Sequence, residues 1–395
     1  MVSLRNNLRR HRVAAGLSQQ ELAQRAGISR QAYAALESGK ATPSTLVGLR
    51  LARGLNTNVE ALFSLADEPP KAVQAELVAP LEVNKDSEKG SKEGSKGARA
   101  ATQTPHMVKL MPVGGRLLAR PLASSIGARY GLVEADGVIV PGSQTSRESP
   151  ARVEVRPFDA GAVQMPCLSL LGCDPAMVLL ETSLRQRGVR LVWQEESSYE
   201  ALVALSRGEA HVSGCHLRDQ ATGRYNVSWT QRLLPFPYTL VTFAAWQQGL
   251  IIGRGNPKDI SGTEHLARTD VTIANRPLGS GSRDLLDRLL ETQGIPSQQV
   301  QGYQREFQGH LEVAAAVASG QADAGVAVEA AASALGLDFL PLEEERYDLA
   351  IPNHFLDEPG VQALLDLLVL PGFSRRIESL AGYDVSSMGT TVSLN

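Results

Sequence analysis

Apolar residues follow three different rhythms along the chain. In residues 1–66 they recur three and four positions apart, which is the period of amphipathic helices, and they predict five short helices. Residues 105–162 alternate apolar and polar positions, as in ARVEVRPF, and predict a small β-rich segment. In residues 163–395, apolar runs such as CLSLLGCD and AHVSGCHL alternate with helical patterns, which predicts βαβ units and a parallel sheet. We therefore predict a multidomain chain with an all-α head, a β-rich segment and an α/β body.

The helices of the head are predicted to share one core. Its members are the apolar positions Leu8, Leu17, Leu22, Ala23, Ile28, Tyr33, Leu36, Leu46, Leu49, Ala52, Leu55, Leu62 and Phe63.

Residues 67–104 are predicted to form a disordered linker. Two prolines, Pro69 and Pro70, end the helical pattern, and residues 84–104 contain no large apolar side chain. Such a segment buries too little surface to offset its chain entropy. Its mixture of Lys and Glu also fits an interaction tail, but a solvated tether is the simpler interpretation.

Charge is distributed unevenly between the head and the rest. The net charge is −3, yet residues 1–66 hold nine Lys and Arg against three acidic residues. A basic head on an acidic body favours a polyanionic partner for the head alone. Three cysteines are too few for a disulfide framework, and no apolar signal segment or membrane span is evident. We therefore expect a cytoplasmic protein with reduced thiols.

Two helices of the head are bounded by clear capping signals. Ser18 followed by Glu21 forms a capping box, and Ser29 is a good N-cap for the next helix. Gly27 lies between them, where a sharp turn requires a positive φ. Two helices joined by a turn of about four residues are what a helix-turn-helix motif requires.

The stretch GLSQQELAQRAGISRQAYAALESGKATPSTLVGLRLARGLN resembles the phage-repressor-type, or Xre, helix-turn-helix family. In this family the second helix of the motif lies in the major groove. The resemblance implies base-edge contacts by Arg30, Gln31, Ala34 and Ala35, with Arg suited to guanine and Gln to adenine. It implies phosphate contacts by Gln19, Lys40 and Thr42, and leaves Ser29 as either a phosphate contact or a helix cap.

The same resemblance implies two structural roles inside the head. Glu37 would be unfavourable beside DNA if it were exposed, and the family pairs this residue with an Arg of the first helix, here Arg12. Tyr33 is expected in the core.

A glycine- and serine-rich helix start is the main candidate for ligand binding in the body. Gly279, Ser280, Gly281 and Ser282 follow a predicted strand and open a helix, and Arg283 adds positive charge. Unpaired N–H groups and the helix dipole favour an anion at such a place, although a simple serine cap explains the same residues. Common catalytic motifs, including G-x-S-x-G, the P-loop and H-E-x-x-H, do not occur, so we predict that the protein is not an enzyme.

A second helix start of the same kind, with Ser197 and Ser198, falls in the other α/β part of the body. The body resembles the two-lobed periplasmic binding protein fold, type II, as it occurs behind helix-turn-helix heads and in some molybdenum-cofactor proteins. The resemblance rests on GCDPA (172–176), residues 197–226, QGLIIGRGNP (248–257), NRPLGSGSRDLLD (275–287), residues 302–332 and ERYDLAIP (345–352). It implies that the two helix starts face each other across a cleft. Relatives that bind molybdate or tungstate hold the oxyanion with hydroxyls and backbone amides.

Other polar residues near predicted strand ends leave the ligand open. Asp174, Asp323 and Glu345 would oppose an anion if they lined the cleft, although Asp174 before a proline also fits an N-cap. Arg305 is a further candidate contact. We predict no metal site.

Cysteine and histidine residues near the strand ends also have two interpretations. Cys173 and Cys215 end predicted strands, and His216 adjoins the second. A metal or redox site is conceivable there, but small buried cysteines are common at strand ends. His310 fits either a ligand contact or a turn.

Taken together, these features predict a ligand-responsive transcription regulator. The head would bind double-stranded DNA as a homodimer, because one small head buries too little surface for tight specific binding. The body would close on a small solute, either an oxyanion such as molybdate or tungstate or another small metabolite, without a further cofactor or a membrane. The alternatives are a DNA-binding scaffold with a protein-interaction body and a molybdenum-cofactor-related enzyme with a DNA-binding head.

Overall fold

The computed structural model describes six stretches of the chain. They are residues 4–65, 70–78, 106–122, 134–143, 151–159 and 161–392. They belong to two units, Met1–Lys71 and Ala72–Asn395. No helix in the described stretches is long and apolar enough to cross a membrane.

The N-terminal unit is built from short helices, as predicted. They are α1 (Leu8–Ala14), α2 (Gln19–Ala26), α3 (Arg30–Glu37), α4 (Thr45–Gly54) and α5 (Val59–Leu62). A short antiparallel pair, β1 (Leu4–Asn6) with β2 (Phe63–Leu65), brings the two ends of the unit together.

The predicted turn between α2 and α3 is confirmed in detail. Ser18 Oγ accepts a hydrogen bond from the Glu21 N–H at 3.2 Å, and the Glu21 carboxylate accepts one from the Ser18 N–H at 2.7 Å. Gly27 has φ of 68°, and Ser29 caps α3 by accepting from the Ala32 N–H at 3.1 Å. Local sequence therefore specifies where the two helices begin and end and the turn between them.

The predicted core of this unit is wrong at two positions. Leu46 and Leu49 are each 56% exposed, whereas Tyr33 is fully buried as expected. The reason is the rotation of α4, which turns Leu51 and Ala52 inward and so directs Leu46 and Leu49 to solvent.

Glu37 lies at the centre of a polar network that joins α1, α2 and α3. Arg12 donates from Nε to Oε2 at 2.7 Å and from Nη2 to Oε1 at 3.0 Å, which confirms the predicted pair. Gln19 Nε2 and the Tyr33 hydroxyl donate to the same carboxylate at 3.0 Å and 2.7 Å. The hydrogen bonds from Arg12 lower the pKa of Glu37 to about 2.

A closed β-barrel begins the second unit. Its strands are β3 (Val73–Leu77), β4 (Met107–Val113), β5 (Arg116–Pro121), β6 (Gly137–Ile139) and β7 (Arg152–Pro157), in the order β3-β5-β4-β6-β7. Alternate side chains, including Ala75, Val108 and Val153, fill its interior. Closing the sheet leaves no strand edge exposed.

Strand β3 corrects the predicted disordered linker of residues 67–104. Residues 73–77 are ordered because β3 pairs with β7 and β5 and completes the barrel, a partnership that local composition does not reveal. Residues 79–105, which include most of the predicted linker, lie outside the described stretches.

The remaining strands form one mixed sheet that organises two lobes. They are β8 (Cys167–Leu171), β9 (Arg190–Gln194), β10 (Val212–Cys215), β11 (Tyr238–Ile252), β12 (Ile273–Ala274), β13 (Ala324–Val328), β14 (Asp338–Pro352) and β15 (Tyr383–Asp384). The order is β12-β13-β11-β14-β10-β8-β9, with β15 paired to β11.

Parallel pairing occurs inside each lobe, as predicted, but the lobes are joined by antiparallel strands. Strands β8, β9 and β10 pair in parallel in the first lobe, and β12 and β13 do so in the second. The fifteen-residue strands β11 and β14 pair antiparallel along their length and run through both lobes.

The second unit also contains helices; the first packs against barrel strand β4, and most of the others lie against the mixed sheet. The helices are α6 (Gly161–Gln164), α7 (Leu180–Arg185), α8 (Ser198–Ser206), α9 (Val227–Leu233), α10 (Gly281–Thr292), α11 (His310–Ala318), α12 (Glu329–Ala334), α13 (Pro359–Leu368) and α14 (Pro371–Glu378).

Removing the Glu37 carboxylate should lower the stability of the N-terminal unit and leave that of the second unit unchanged. Glu37→Gln leaves the Arg12 charge partly buried without its partner. We therefore expect the free energy of unfolding of the N-terminal unit to fall by about 2–3 kcal/mol. Amide hydrogen exchange of the full chain should then accelerate by about 30–160-fold in α1–α3 and stay unchanged in the barrel. Glu60→Gln, at an exposed position in the same unit, is the matched control. Equal amide exchange rates in the two variants would contradict the structural role of Glu37.

Burial of a neutral histidine gives the second unit a predictable pH dependence. His211 is 2% exposed and its Nδ1 accepts a hydrogen bond from the Ser169 N–H at 3.0 Å. Burial lowers its pKa to about 4. Because this value lies below the ordinary pKa of about 6.5, the stabilisation is complete above pH 6.5 and is lost as the pH falls towards 4.

We expect acidification from pH 6.5 to 4 to cost the second unit up to about 3 kcal/mol through this one group. Urea unfolding followed by tryptophan fluorescence measures it, since Trp193, Trp229 and Trp246 all lie in this unit. His211→Asn supplies an acceptor that does not titrate, so its stability should change less over that range. Identical pH profiles for the two proteins would show that His211 is not responsible.

Candidate functional site

The start of α3 carries the predicted DNA-reading residues. Arg30 and Gln31 are exposed in its first turn, and Ala34 and Ala35 lie one turn further on and are half-buried. Ser29 is exposed and acts as the N-cap of the helix. The long polar side chains are therefore free to extend towards a groove.

The residues expected to contact phosphate differ in their surroundings. Lys40 and Thr42 are exposed in the loop after α3. Gln19 instead donates to Glu37, so in this structure its amide helps to position α3.

The two predicted helix starts of the body meet between the lobes. The Tyr199 N–H at the start of α8 donates to the Gly279 carbonyl ahead of α10 at 3.4 Å. Ser197 and Ser280 are the N-caps of these helices. Ser198 Oγ is occupied, because it accepts a hydrogen bond from the His216 N–H at 3.2 Å.

Arg283 lies at this junction, but the fold already uses its charge. It donates to Asp287 at 3.0 Å and to the Arg276 carbonyl at 3.1 Å, and its guanidinium lies 4.1 Å from the centre of the Tyr303 ring. The helix start is thus stabilised by Arg283 whether or not a ligand binds.

Arg305 lies away from the junction, contrary to its predicted place in the ligand site. It is exposed and donates to the Gln321 carbonyl at 2.9 Å, beyond the C-terminal end of α11. Asp323 is close to that end as well, where it accepts a hydrogen bond from the Thr272 N–H at 2.8 Å. Both side chains are therefore bonded near the starts of β12 and β13, although the Arg305 carbonyl accepts a hydrogen bond from the Asn275 N–H at 3.0 Å, just after the end of β12.

Asp174 acts as the N-cap that its Asp-Pro sequence also predicted. Its Oδ1 accepts from the Ala176 N–H at 2.8 Å and from the Tyr383 hydroxyl. Its Oδ2 is buried with no hydrogen-bond partner in the described stretches. Complete burial raises its pKa to about 7, against the opposing effect of the Tyr383 hydroxyl.

A buried polar cluster occupies the place where the lobes meet. We call it the cleft cluster, and it consists of Cys173, His216, Gln248, Arg276, Ser282, His310 and Glu345. Each member is at most 3% exposed. Cys173 and His216 follow strands of the first lobe, whereas Arg276, Ser282 and His310 belong to the second. The cluster is thus shared by both lobes.

One chain of contacts links a thiol, an imidazole and a carboxylate in this cluster. Cys173 Sγ lies 3.2 Å from His216 Nε2, and His216 Nδ1 lies 2.7 Å from Glu345 Oε2. Gln248 Nε2 donates to the same oxygen at 2.6 Å. Burial alone would lower the pKa of His216, but the adjacent Cys173 sulfur and Glu345 carboxylate raise it to about 10.

Other members of the cleft cluster have buried polar atoms without hydrogen bonds. Nε, Nη1 and Nη2 of Arg276, Oγ of Ser282 and both ring nitrogens of His310 have no hydrogen-bond partner within the described part of the chain. Burial lowers the pKa of Arg276 and, together with the nearby Arg276 charge, that of His310. Buried polar atoms in native proteins are nearly always paired, so these atoms indicate a binding site.

Sequence reasoning considered Ser282, His216, Glu345 and His310 separately but missed Arg276. The sequence did contain a signal for Arg276. It is the charged residue of the NRP stretch that follows β12, and ligands bind where the ends of strands face a cleft. Cys215, which we had grouped with Cys173, lies outside the cleft cluster, with its Sγ 3.7 Å from the Asp348 carbonyl.

Comparison with known proteins agrees with the two-unit architecture. Residues 8–62 match a helix-turn-helix family model, and residues 180–369 match the model of a PBP superfamily domain. An HTH-type transcriptional regulator of Methanothermobacter thermautotrophicus is 41% identical over 69 residues, which cover 17% of this chain and all of that protein.

Two further similarities concern the body. The Bacillus subtilis protein YvgK, which is uncharacterised, is 31% identical over 252 residues, covering 62% of this chain and 79% of its own length. The tungstate-binding protein TupA of Desulfovibrio alaskensis aligns with 55% of this chain and 98% of its own, at 14% identity and a TM-score of 0.38. The chain belongs to the helix-turn-helix family of transcriptional regulators through its N-terminal unit; it is a relative of YvgK, and it carries a PBP superfamily domain in residues 180–369.

Proposed function

We propose that the chain is a cytoplasmic transcription regulator whose DNA binding responds to a small oxyanion-bearing solute held in the cleft cluster. Membership of its family supports a DNA-binding regulator with a ligand-binding domain. The observation that carries the choice of ligand is Arg276, a buried guanidinium whose side-chain nitrogens have no hydrogen-bond partner in the described part of the chain.

An oxyanion satisfies several of these donors at once. A guanidinium presents parallel N–H groups that match carboxylate, phosphate and related oxyanions. Ser282 Oγ lies in the first turn of α10, where unpaired N–H groups and the helix dipole add to the attraction for negative charge. The fit therefore combines one full charge with neutral donors.

Acidic residues near the cluster do not oppose this assignment, because most already have partners. Glu345 is neutralised by His216 and accepts from Gln248. Glu195 accepts a hydrogen bond from the His310 backbone and so caps α11. Glu195, Glu312 and Glu196 act on the Arg276 charge from nearby, so the attraction for an anion rests on the N–H groups of Arg276 that are unpaired among the described residues, rather than on an isolated charge.

Molybdate and tungstate are the oxyanions that the resemblance to binding proteins favours, and other small anionic metabolites are the alternative. Because both lobes contribute to the cleft cluster, an anion that contacts Arg276 and Ser282 on one side and α8 on the other would favour the closed arrangement. A ligand changes the conformational equilibrium only through such differential affinity.

For the DNA-binding unit we propose a homodimer on a two-fold operator. Arg30 and Gln31 would contact base edges, and Lys40, Thr42 and Ser29 would contact phosphates. A scaffold without a ligand remains the rival, and it predicts no effector response.

Two substitutions should separate base contacts from phosphate contacts. Arg30→Ala should cost about 1–3 kcal/mol on an operator selected from random DNA and should relax one base position. Lys40→Ala should weaken binding to all DNA and flatten its dependence on salt. Fluorescence anisotropy at several salt concentrations measures both. If Arg30→Ala weakens specific and non-specific binding equally, the base contact is wrong.

Effector binding should depend on the buried residue Arg276 and not on the exposed residue Arg305. Arg276→Leu should lose about 1.5–3 kcal/mol for each charged hydrogen bond to the anion, whereas Arg305→Ala in the same lobe should bind normally. Ser282→Asp places a negative charge where the anion is expected and should abolish binding while operator affinity without effector persists. Calorimetry with molybdate, tungstate, sulfate and phosphate on protein stripped of bound solute tests all three.

Two results would overturn the oxyanion effector. One is the absence of heat with all four anions on the unsubstituted protein. The other is equal affinity of the unsubstituted protein and Arg276→Leu for the anion that binds. Because the Arg276 charge also acts on the buried Glu195 carboxylate, circular dichroism and tryptophan fluorescence must show that Arg276→Leu is folded before its affinity is compared.

A further inference from the structure

We propose that Cys173, His216 and His310 together bind one soft or borderline transition-metal ion, Zn²⁺ or Cu⁺, between the two lobes of the body. This site goes beyond the oxyanion effector and does not depend on it. It uses three members of the cleft cluster that the proposed anion contacts leave aside.

The three side chains lie close to the spacing of metal ligands. Their ligand atoms all lie within 4.8 Å of one another, and Cys173 Sγ is 3.2 Å from His216 Nε2. Zinc bonds of about 2.0–2.3 Å in a tetrahedral arrangement place ligand atoms about 3.3–3.6 Å apart. Only a small contraction is required, and it would draw His310 of the second lobe towards the first.

His216 has the outer partner that metal-binding histidines usually have. Its Nδ1 lies 2.7 Å from Glu345 Oε2, which fixes the ring and directs Nε2 towards Cys173. A carboxylate bonded to the distal nitrogen of a ligand histidine orients the ring and increases its basicity. Trp246 Nε1 and Gln248 Nε2 hold that carboxylate in turn, at 3.4 Å and 2.6 Å.

His310 provides the independent observation that a ligand is expected here. It is fully buried, and in the described stretches neither ring nitrogen has a hydrogen-bond partner. Its ring centre lies 6.1 Å from that of His216 and 5.8 Å from that of Trp246. Two unpaired nitrogens in the interior are costly, and coordination would satisfy one of them.

The donor set selects the class of metal. One thiolate and two imidazoles suit Zn²⁺ or Cu⁺, whereas Mg²⁺ and Ca²⁺ prefer oxygen ligands. Three protein ligands leave a fourth position open.

A thiol nucleophile is the strongest competing role for the same atoms. Cys173, His216 and Glu345 have the order of a nucleophile, a base and an orienting carboxylate. That role leaves His310 unexplained, because its two nitrogens gain no partner from it. A metal ion accounts for Cys173, His216 and His310 as its ligands and for Glu345 as the partner that orients His216.

Titration of the metal-free full chain tests the site. Protein stripped with a chelator under reducing conditions is titrated with Zn²⁺ and Cu⁺ against competing chelators, and with Co²⁺, whose absorbance reports thiolate coordination. We expect one equivalent of Zn²⁺ or Cu⁺ per chain and a thiolate-to-cobalt band. Glu345→Gln should weaken binding by about 10–100-fold, as for loss of other outer-shell partners.

Cysteine-to-alanine substitutions form a matched pair. Cys173 and Cys215 are both fully buried at strand ends of the first lobe. Cys173→Ala should abolish the cobalt band and stoichiometric binding, and Cys215→Ala should retain both. His310→Ala removes unpaired nitrogens, so it should fold and still lose tight binding. Tryptophan fluorescence and circular dichroism check the fold of each variant.

Three outcomes would overturn the metal site. They are no stoichiometric binding by the unsubstituted chain, binding that survives Cys173→Ala in a folded protein, and rapid alkylation of Cys173 without metal binding, which would indicate a nucleophile. Anion calorimetry and operator binding are measured on the same samples, so failure of the proposed regulator would appear there and not in the metal titration.

Discussion

The buried contact between His216 and Glu345 is the interaction on which the centre of the body depends. The two atoms are 2.7 Å apart, and both side chains are almost completely buried. Removing either partner would leave a charge in the interior, which is far more costly than replacing the pair as a whole. Such a pair therefore contributes more to a defined arrangement than to net stability.

Several elements are positioned around His216. Its N–H donates to Ser198 Oγ, which connects β10 to the start of α8. A side chain at Gly281 would lie 2.4 Å from the His216 ring, so α10 can begin here only with glycine. Gly214 has the same role for Tyr347, whose hydroxyl would lie 1.9 Å from an added Cβ atom. The glycines of the cleft thus serve close packing of polar side chains rather than loop flexibility.

The N-terminal unit is also organised around a carboxylate that groups from several elements contact. A half-buried carboxylate, Glu37, accepts hydrogen bonds from three helices and sets the orientation of α3. Base-reading residues can then extend from a helix whose angle does not depend on DNA. In both units, an ionised group held by neighbours from different elements provides the rigidity that recognition requires.

Sequence alone determined the features that depend on neighbours within a few residues. Ser18, Glu21, Gly27 and Ser29 specify α2, α3 and their turn, because caps and positive φ are local requirements. The local sequence also predicted the two serine-capped helix starts of the body, and the family resemblance identified the Arg12–Glu37 pair. These parts could be predicted because each rests on a short stretch whose chemistry has few alternatives.

Tertiary structure decided which polar residues share one site. Arg276 follows a strand and His310 opens a helix, but neither local pattern shows that the side chain is buried beside the other, and Glu345 is 129 positions from its partner His216. Strand β3 likewise gains its order from β5 and β7, not from its own composition. Long antiparallel strands and the crossing between two lobes bring these residues together, and sequence patterns do not encode such distant pairings.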